Sequence, residues 1–593
     1  MSETTPGREP IQIVELRQPI CENVFGVNNG VTGCFASGTA DTKCYNTRAT
    51  CQDTANFALD ATPLSLFFSR GRVAEQIVSG TTYIIPSLVS VSTSPATVNY
   101  AGSKLDSKGL GNRALCNIVF ADHQHTDRIV DPYVSGRSWD PLDASRGTFW
   151  SRWMVRNRYR HNVLMVIYEG YEGEALSAMS SRTYFLEKIS GIDSNGRVTL
   201  TGKDVLAQTE KREAQVPAAS KGKLWVSITD TQTSMTVANA TMTAPSDYTA
   251  TGTLRIDDEL ITYTGAANDA GGNGIEFTGL VRGAYETDAV EHEFDAGVQQ
   301  CLIYTDESAD DLVEDLLVNG AGVDSSWLDT TNWAIEANAY LSFYQFSAVI
   351  SEPTSVYDLL SEIQQQGLFY IWWDERDALV KLKAVRGYVD LPTTITDEAN
   401  IISGSFKLVD LPRERASQVW LYYKLRTTVS SVADTGSYSN QYVVVDLESE
   451  TEELYGASSI RTIFSRWLTS EPVIAYTGSR IVASYSTMPQ QISFRMDAKD
   501  RAFWVADDFF LSHYMDVDEF GTRNIRKWTI TSAEEKVPGE IIEYVAIETG
   551  AYGQIYLIAA NSAADYPPAV DQICYIGDTA GLLSDLTSAG IIS

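Results

Sequence analysis

The chain has 593 residues, with 45 basic against 77 acidic side chains and a net charge of −32 at pH 7. That length exceeds what one hydrophobic core supports, so several domains are expected. A chain this acidic is not built to grip nucleic acid, because phosphate binding needs clustered Lys and Arg. No apolar run reaches the roughly 18 residues of a membrane span.

The opening segment MSETTPGREP is polar and lacks an apolar signal region, so folding in the cytosol is expected, where structural disulfides are rare. A short strand, IQIVEL, follows. Then come Cys21, Cys34, Cys44 and Cys51, four of the seven cysteines, separated by gaps of twelve, nine and six residues. The residues between them are mostly Gly, Asn, Thr and Ser. Such a segment buries too little apolar surface to order itself by packing. Structural zinc sites usually bring ligands in close pairs, and no such pair occurs here. Iron–sulfur clusters tolerate wider spacing. Spacing alone leaves two disulfides, a metal or cluster site, and free core thiols all open.

The run CYNTRATCQDTANF, Cys44 to Phe57, is similar to the cysteine-rich module of siphophage tail-tip hub proteins, a family that includes the hubs of gene transfer agents. The resemblance implies a [4Fe–4S] cluster held by Cys21, Cys34, Cys44 and Cys51. In the lambda relative this module follows the hub body, whereas here it precedes it.

A β-rich block is expected from about residue 61 to 224. TTYIIPSLVSVS and ALCNIVFAD alternate as strands do, and Asp193-Ser-Asn-Gly196 marks a hairpin between FLEKISGI and RVTLTGKDV. LGNRALCNIVFADHQHTDRIVDPYVSGRS and RGTFWSRWMVRNRYR resemble the first body domain of the same hub family. The resemblance implies a β-barrel-like domain whose loop reaches toward neighbouring tail proteins. Asp122, His123, His125 and Asp127 offer a possible divalent-metal cluster, but a polar turn held by hydrogen bonds is the simpler reading.

Residues 225–305 read as an inserted β module, with GTLRIDDELITYTG and GIEFTGLVRGAYETDAVEHEF as its strands. Its acidic run Asp257-Asp258-Glu259 lacks the spacing of a calcium loop and reads as a solvated strand end. Residues 306–425 open on an acidic helix, SADDLVEDLLVNG, capped by Ser308. A second helix puts Val356, Leu359, Leu360 and Ile363 on one face, ahead of the strands LFYIWWD and ALVKLKAV. Trp372 and Trp373 read as core on one face and interface on the other, and an aromatic pair is also a sugar-stacking surface. This unit resembles the second hub body domain. In residues 426–593, QYVVVDLE reads as a strand, following ASQVWLYYKL just before it. A helix is expected around SSIRTIFSRWL, then the strand-rich KWTITSAEEKVPGEIIEYVA and a strand near DQICYIGD.

There is no G-x-S-x-G, no H-E-x-x-H and no phosphate-binding glycine loop, so no catalysis is expected. The fold expected is mainly β with some α+β: β-barrel-like tube domains, a small inserted β module and an N-terminal cysteine module spanning residues 1–60. By resemblance the chain is a virion protein assembled in the host cytoplasm, the baseplate hub at the distal end of a long non-contractile tail. The expected partners are two further copies in a homotrimer, the distal tail protein, the tape-measure protein and a tip or central fibre. DNA would pass through the channel without sequence-specific contact. The alternative is a receptor-binding tip protein that recognises cell-surface carbohydrate.

Overall fold

A computed structural model describes residues 9–71, 83–100, 109–240, 248–386, 393–451 and 455–549. The expected strand near DQICYIGD lies outside them. The architecture is mainly β, with multiple sheets and a few helices.

The first unit is an eight-stranded sheet. Its strands are β1 (Pro10–Gln18), β2 (Leu64–Ser69), β3 (Ile84–Ile85), β4 (Leu88–Ser94), β5 (Leu115–Ala121), β6 (Leu164–Tyr171), β7 (Ser180–Ile189) and β8 (Arg197–Lys203). Their order is β3-β2-β1-β6-β7-β8-β5-β4. The two edge strands are consecutive in the chain, joined only by Pro86 and Ser87, which brings the edges together in a barrel-like closure. Alternation supplies the inner face: β5 buries Cys116, Ile118 and Phe120, and β8 buries Val198 and Leu200. The β7–β8 hairpin turns where the sequence marks it, with Asp193 Oδ1 accepting from the N–H of Asn195 and of Arg197.

The RGTFW segment runs into helix α1 (Phe149–Arg156), which buries Phe149, Trp150 and Trp153 in the barrel core. Trp150 stacks on Phe68 at 5.5 Å and lies 4.8 Å from Phe120. Three large aromatic rings on one face of a short helix have no stable place but an apolar interior.

The inserted module pairs a four-stranded with a three-stranded sheet over a core that includes Tyr248, Leu254, Tyr263, Ile275 and Phe277. Next come α2 (Ala309–Asp315), capped by Ser308 as expected, and α3 (Thr330–Tyr340). α4 (Val356–Gly367) buries Val356, Leu359, Leu360 and Ile363. The strand after it, Phe369–Asp374, is buried on both faces, so Trp372 and Trp373 offer no face to a sugar or a partner.

The segment expected as a helix around SSIRTIFSRWL is a strand, Ile460–Phe464, paired parallel to Gln418–Leu425. Its residues alternate with period two, Arg461 and Ile463 inward, and β-branched residues favour that geometry. The helix follows it as α5 (Glu471–Tyr485). A six-stranded sheet completes the described chain, with Arg526–Val537 and Ile541–Glu548 as its central hairpin. This sheet touches the barrel directly. Val98 N–H donates to Thr531 O at 2.9 Å, and Tyr171 OH donates to Gly539 O at 2.6 Å.

Candidate functional site

The four cysteines lie in a segment with almost no regular structure between β1 and β2. Many of its apolar side chains face solvent: Val24, Val31 and Leu59 are each more than half exposed. Backbone hydrogen bonds shape it, including Cys21 N–H to Asn46 O at 2.8 Å and Cys34 N–H to Val27 O at 2.9 Å. Gly33 has φ +104°, and a Cβ there would lie 2.5 Å from Val27 O, so only glycine closes this loop.

Cys21, Cys34 and Cys44 are buried, Cys51 is half-buried, and all four are free thiols. Cys44 and Cys51 are each within electrostatic reach of Cys21 and Cys34. Burial pushes the thiols of Cys44 and Cys51 up, and the neighbouring sulfurs push them further. Cys34 and Cys44 share a small apolar cluster with Phe25, flanked by Tyr133. Among the described residues, no three or more His, Cys, Asp or Glu side chains converge tightly enough to hold a metal ion. The donor set is nonetheless chemically uniform: four soft sulfur ligands around one small region. Four thiolates are the donor chemistry of an iron–sulfur cluster and equally of a structural zinc ion.

The barrel holds this segment through the 131–137 loop and the end of α1. Arg137, its side chain fully buried, forms a bidentate pair with Asp131 at 2.7 and 3.0 Å. The same guanidinium donates to the carbonyls of Ala40, Asp41, Lys43 and Cys44 at 3.0 to 3.4 Å. Asp131 raises the Arg137 pKa further, against the opposing effect of burial. Tyr45 lies between Arg137 and Arg156, whose guanidinium carbons sit 4.3 and 3.9 Å from its ring centre. Tyr133 OH accepts from Phe25 N–H at 2.9 Å, and Thr47 Oγ1 donates to Arg156 O at 2.6 Å. Sequence reasoning missed these supports, because most of their partners are backbone atoms.

The Asp122, His123, His125 and Asp127 group has other tasks. Asp122 Oδ1 accepts from Trp150 N–H at 3.0 Å and so caps α1. The His123 ring stacks on Phe149. His125 Nδ1 accepts from the backbone N–H of Asp127. Burial pushes the Asp127 carboxyl up, but His125, Arg156 and Arg152 outweigh it and hold it below its ordinary value.

In the inserted module the acidic run divides. Asp257 and Asp258 are exposed, but Glu259 is fully buried, not a solvated strand end. Both its oxygens bond Arg282 at 2.7 Å, and Oε2 lies 2.9 Å from His292 Nε2.

A cleft of about 1010 Å3 opens between α4, the 428–432 segment and Ile460–Phe464. Asp358 and Glu362 both line it, yet Glu362 is occupied by Arg466 at 2.7 and 2.8 Å and by the Trp467 indole at 2.9 Å. Among the described residues, no helix is long and apolar enough to cross a membrane.

No protein-family model and no curated protein matches the chain. Solved structures similar to it are phage tail, baseplate and virion proteins. One is the tail protein from Neisseria meningitidis MC58, at 10% identity, covering 78% of this chain and 98% of that one, with a TM-score of 0.36. A second is the 43 kDa tail protein of prophage MuSo2 from Shewanella oneidensis, at 8% identity, 79% and 100% coverage, with a TM-score of 0.35. A third belongs to the virion of a native gene transfer agent particle, at 13% identity, 58% and 92% coverage, with a TM-score of 0.29.

Proposed function

We propose that this chain is a structural virion protein, the hub at the distal end of a phage tail, and that Cys21, Cys34, Cys44 and Cys51 hold a [4Fe–4S] cluster. One observation carries the cluster reading. Four free thiols, spread over thirty-one residues, gather in a segment that has little core of its own and is clamped to the barrel by Arg137. A bound cluster supplies the cross-link that packing does not. Arg137, Tyr133 and Thr47 fix the path of the chain on either side of the sulfurs.

The sequence resemblance supports the placement in a tail hub, and the barrel-like first unit fits it. The chain would act as a homotrimer between the distal tail protein, the tape-measure protein and the tip fibre. The ring would stay closed until receptor engagement, then open by rearranged subunit contacts to let DNA out. Its net charge of −32 would keep passing DNA from sticking. The carbohydrate-binding alternative loses its aromatic pair, since Trp372 and Trp373 are buried. No bond-making chemistry is assigned to the chain.

The test is chemical analysis of chain purified without oxygen. About four iron and four sulfide per chain, with broad visible absorption, is the expected result. Zinc alone, or no metal with oxidised cysteines, would overturn the cluster. Labelling of intact particles separately tests the location: signal anywhere but the tail tip sinks the hub assignment.

A further inference from the structure

The strand Ile460–Phe464 lies at the edge of a three-stranded sheet, with Gln418–Leu425 beside it and Tyr438–Val445 beyond. Its pairing with Gln418–Leu425 is parallel, and that fixes where its backbone groups point. In a parallel ladder, alternate residues turn both N–H and C=O toward the same neighbour. Here those are the odd-numbered residues: Gln418 N–H donates to Ser459 O at 3.2 Å, and Ser465 N–H donates to Tyr422 O at 2.8 Å. Ile460, Thr462 and Phe464 therefore turn their groups the other way. Phe464 O is taken up by Gln366 Nε2 at 3.1 Å. Among the described residues, no strand covers the edge at Ile460 and Thr462.

That uncovered stretch borders the cleft of about 1010 Å3 beside α4, and both residues line it. Other charged groups on the cleft walls are already paired. Glu362 is held by Arg466 at 2.8 Å, and Arg255 lies 3.4 Å from Glu352. Asp358, in the first turn of α4, is different: among the described residues no cation pairs with it. Partial burial first, and then the charge of Glu362, raise its carboxyl, and Arg466 does not offset them.

An uncovered strand edge is a template for another extended chain. Main-chain bonds of that kind give affinity, and the side chains beside them give specificity. Asp358 supplies the specificity here, because an unpaired carboxylate on the wall favours a cationic side chain. With 77 acidic against 45 basic side chains, a second copy of this chain is a poor source of a basic strand. We propose that this cleft receives an extended segment of a different protein, which adds a fourth strand at Ile460–Phe464 and sets a Lys or Arg side chain against Asp358. Such docking requires neither the cluster nor a tail-hub role.

Thr462→Pro separates the open side of the strand from the paired one. Proline there removes only the N–H that points away from Gln418–Leu425, and edge positions of that kind accept it. The probe is a library of random short peptides, selected against the full chain and resynthesised with a fluorescent label. Peptides bearing Lys or Arg should be enriched, and Thr462→Pro should bind them about tenfold or more weakly. Asp358→Asn should weaken a Lys-bearing peptide and leave unchanged the same peptide with that Lys replaced by Ala. No enrichment at all, enriched peptides without Lys or Arg, or equal binding by Thr462→Pro and the parent chain would each overturn the proposal. So would a dimer that Thr462→Pro abolishes, because the occupant would then be a second copy. Should Thr462→Pro not fold, methylating alternate backbone nitrogens of the peptide decides the matter. One register should abolish binding and the other leave it; equal tolerance of both counts against strand addition.

Discussion

A single arginine fastens the cysteine segment to the first sheet's 131–137 loop. Arg137 neutralises buried Asp131 and satisfies four carbonyls of the cysteine segment. Removing it in Arg137→Ala leaves Asp131 as an uncompensated buried charge, which typically costs about 3–5 kcal/mol. Urea unfolding should register that loss, and limited proteolysis should cut first between Cys34 and Cys51. Unchanged proteolysis would mean the segment is held by something else. The thiols themselves make a second expectation. If the proposed cluster forms, it would have to displace protons from Cys44 and Cys51, whose thiols are raised by burial, so iron uptake should strengthen as pH rises and fail in mild acid. Uptake measured from pH 6 to 9 checks this; a flat profile would show that these thiols are not the ligands. The cysteines were legible in the sequence because their spacing in a Gly- and Asn-rich segment has no packing explanation. Arg137 was not, because backbone carbonyls leave no mark on composition.

At the scale of elements, alternation and capping read well and buried exceptions did not. The β7–β8 hairpin, α2 with its Ser308 cap and the apolar face of α4 follow from residues local to each. The Ile460–Phe464 strand was hidden because its polar neighbours, Ser458, Ser459 and Arg461, mimic a helix start. Glu259 looked solvated because its partners, Arg282 and His292, lie twenty or more residues away. Helix α5 contains Gly478 in its middle, a position where alanine would ordinarily improve a helix by about 1 kcal/mol. Here a Cβ would lie 2.8 Å from both Leu421 and Val444 of the sheet beneath. Gly478→Ala should therefore destabilise the chain, by about 1–3 kcal/mol in thermal or urea unfolding. A stabilised variant would show that the sheet has room to yield.

For the molecule as a whole, the mainly β class was readable from strand periodicity and aromatic content. The contact between the barrel and the C-terminal sheet was not. It joins residues more than 350 positions apart, such as Tyr171 and Gly539. The two sheets meet there through hydrogen bonds, Val98 N–H to Thr531 O and Tyr171 OH to Gly539 O.

The clamp on the cysteine segment also sets an order of events during synthesis. The four thiols leave the ribosome well before their anchors. Arg137 follows Ala40 by 97 residues, Tyr133 follows Phe25 by 108, and the Arg156 carbonyl follows Thr47 by 109. Contacts so distant in sequence form late, after the intervening strands have paired. The nascent cysteines therefore precede each of these anchors by about a hundred residues. A disulfide formed between these thiols in that interval would fix the segment before its anchors exist.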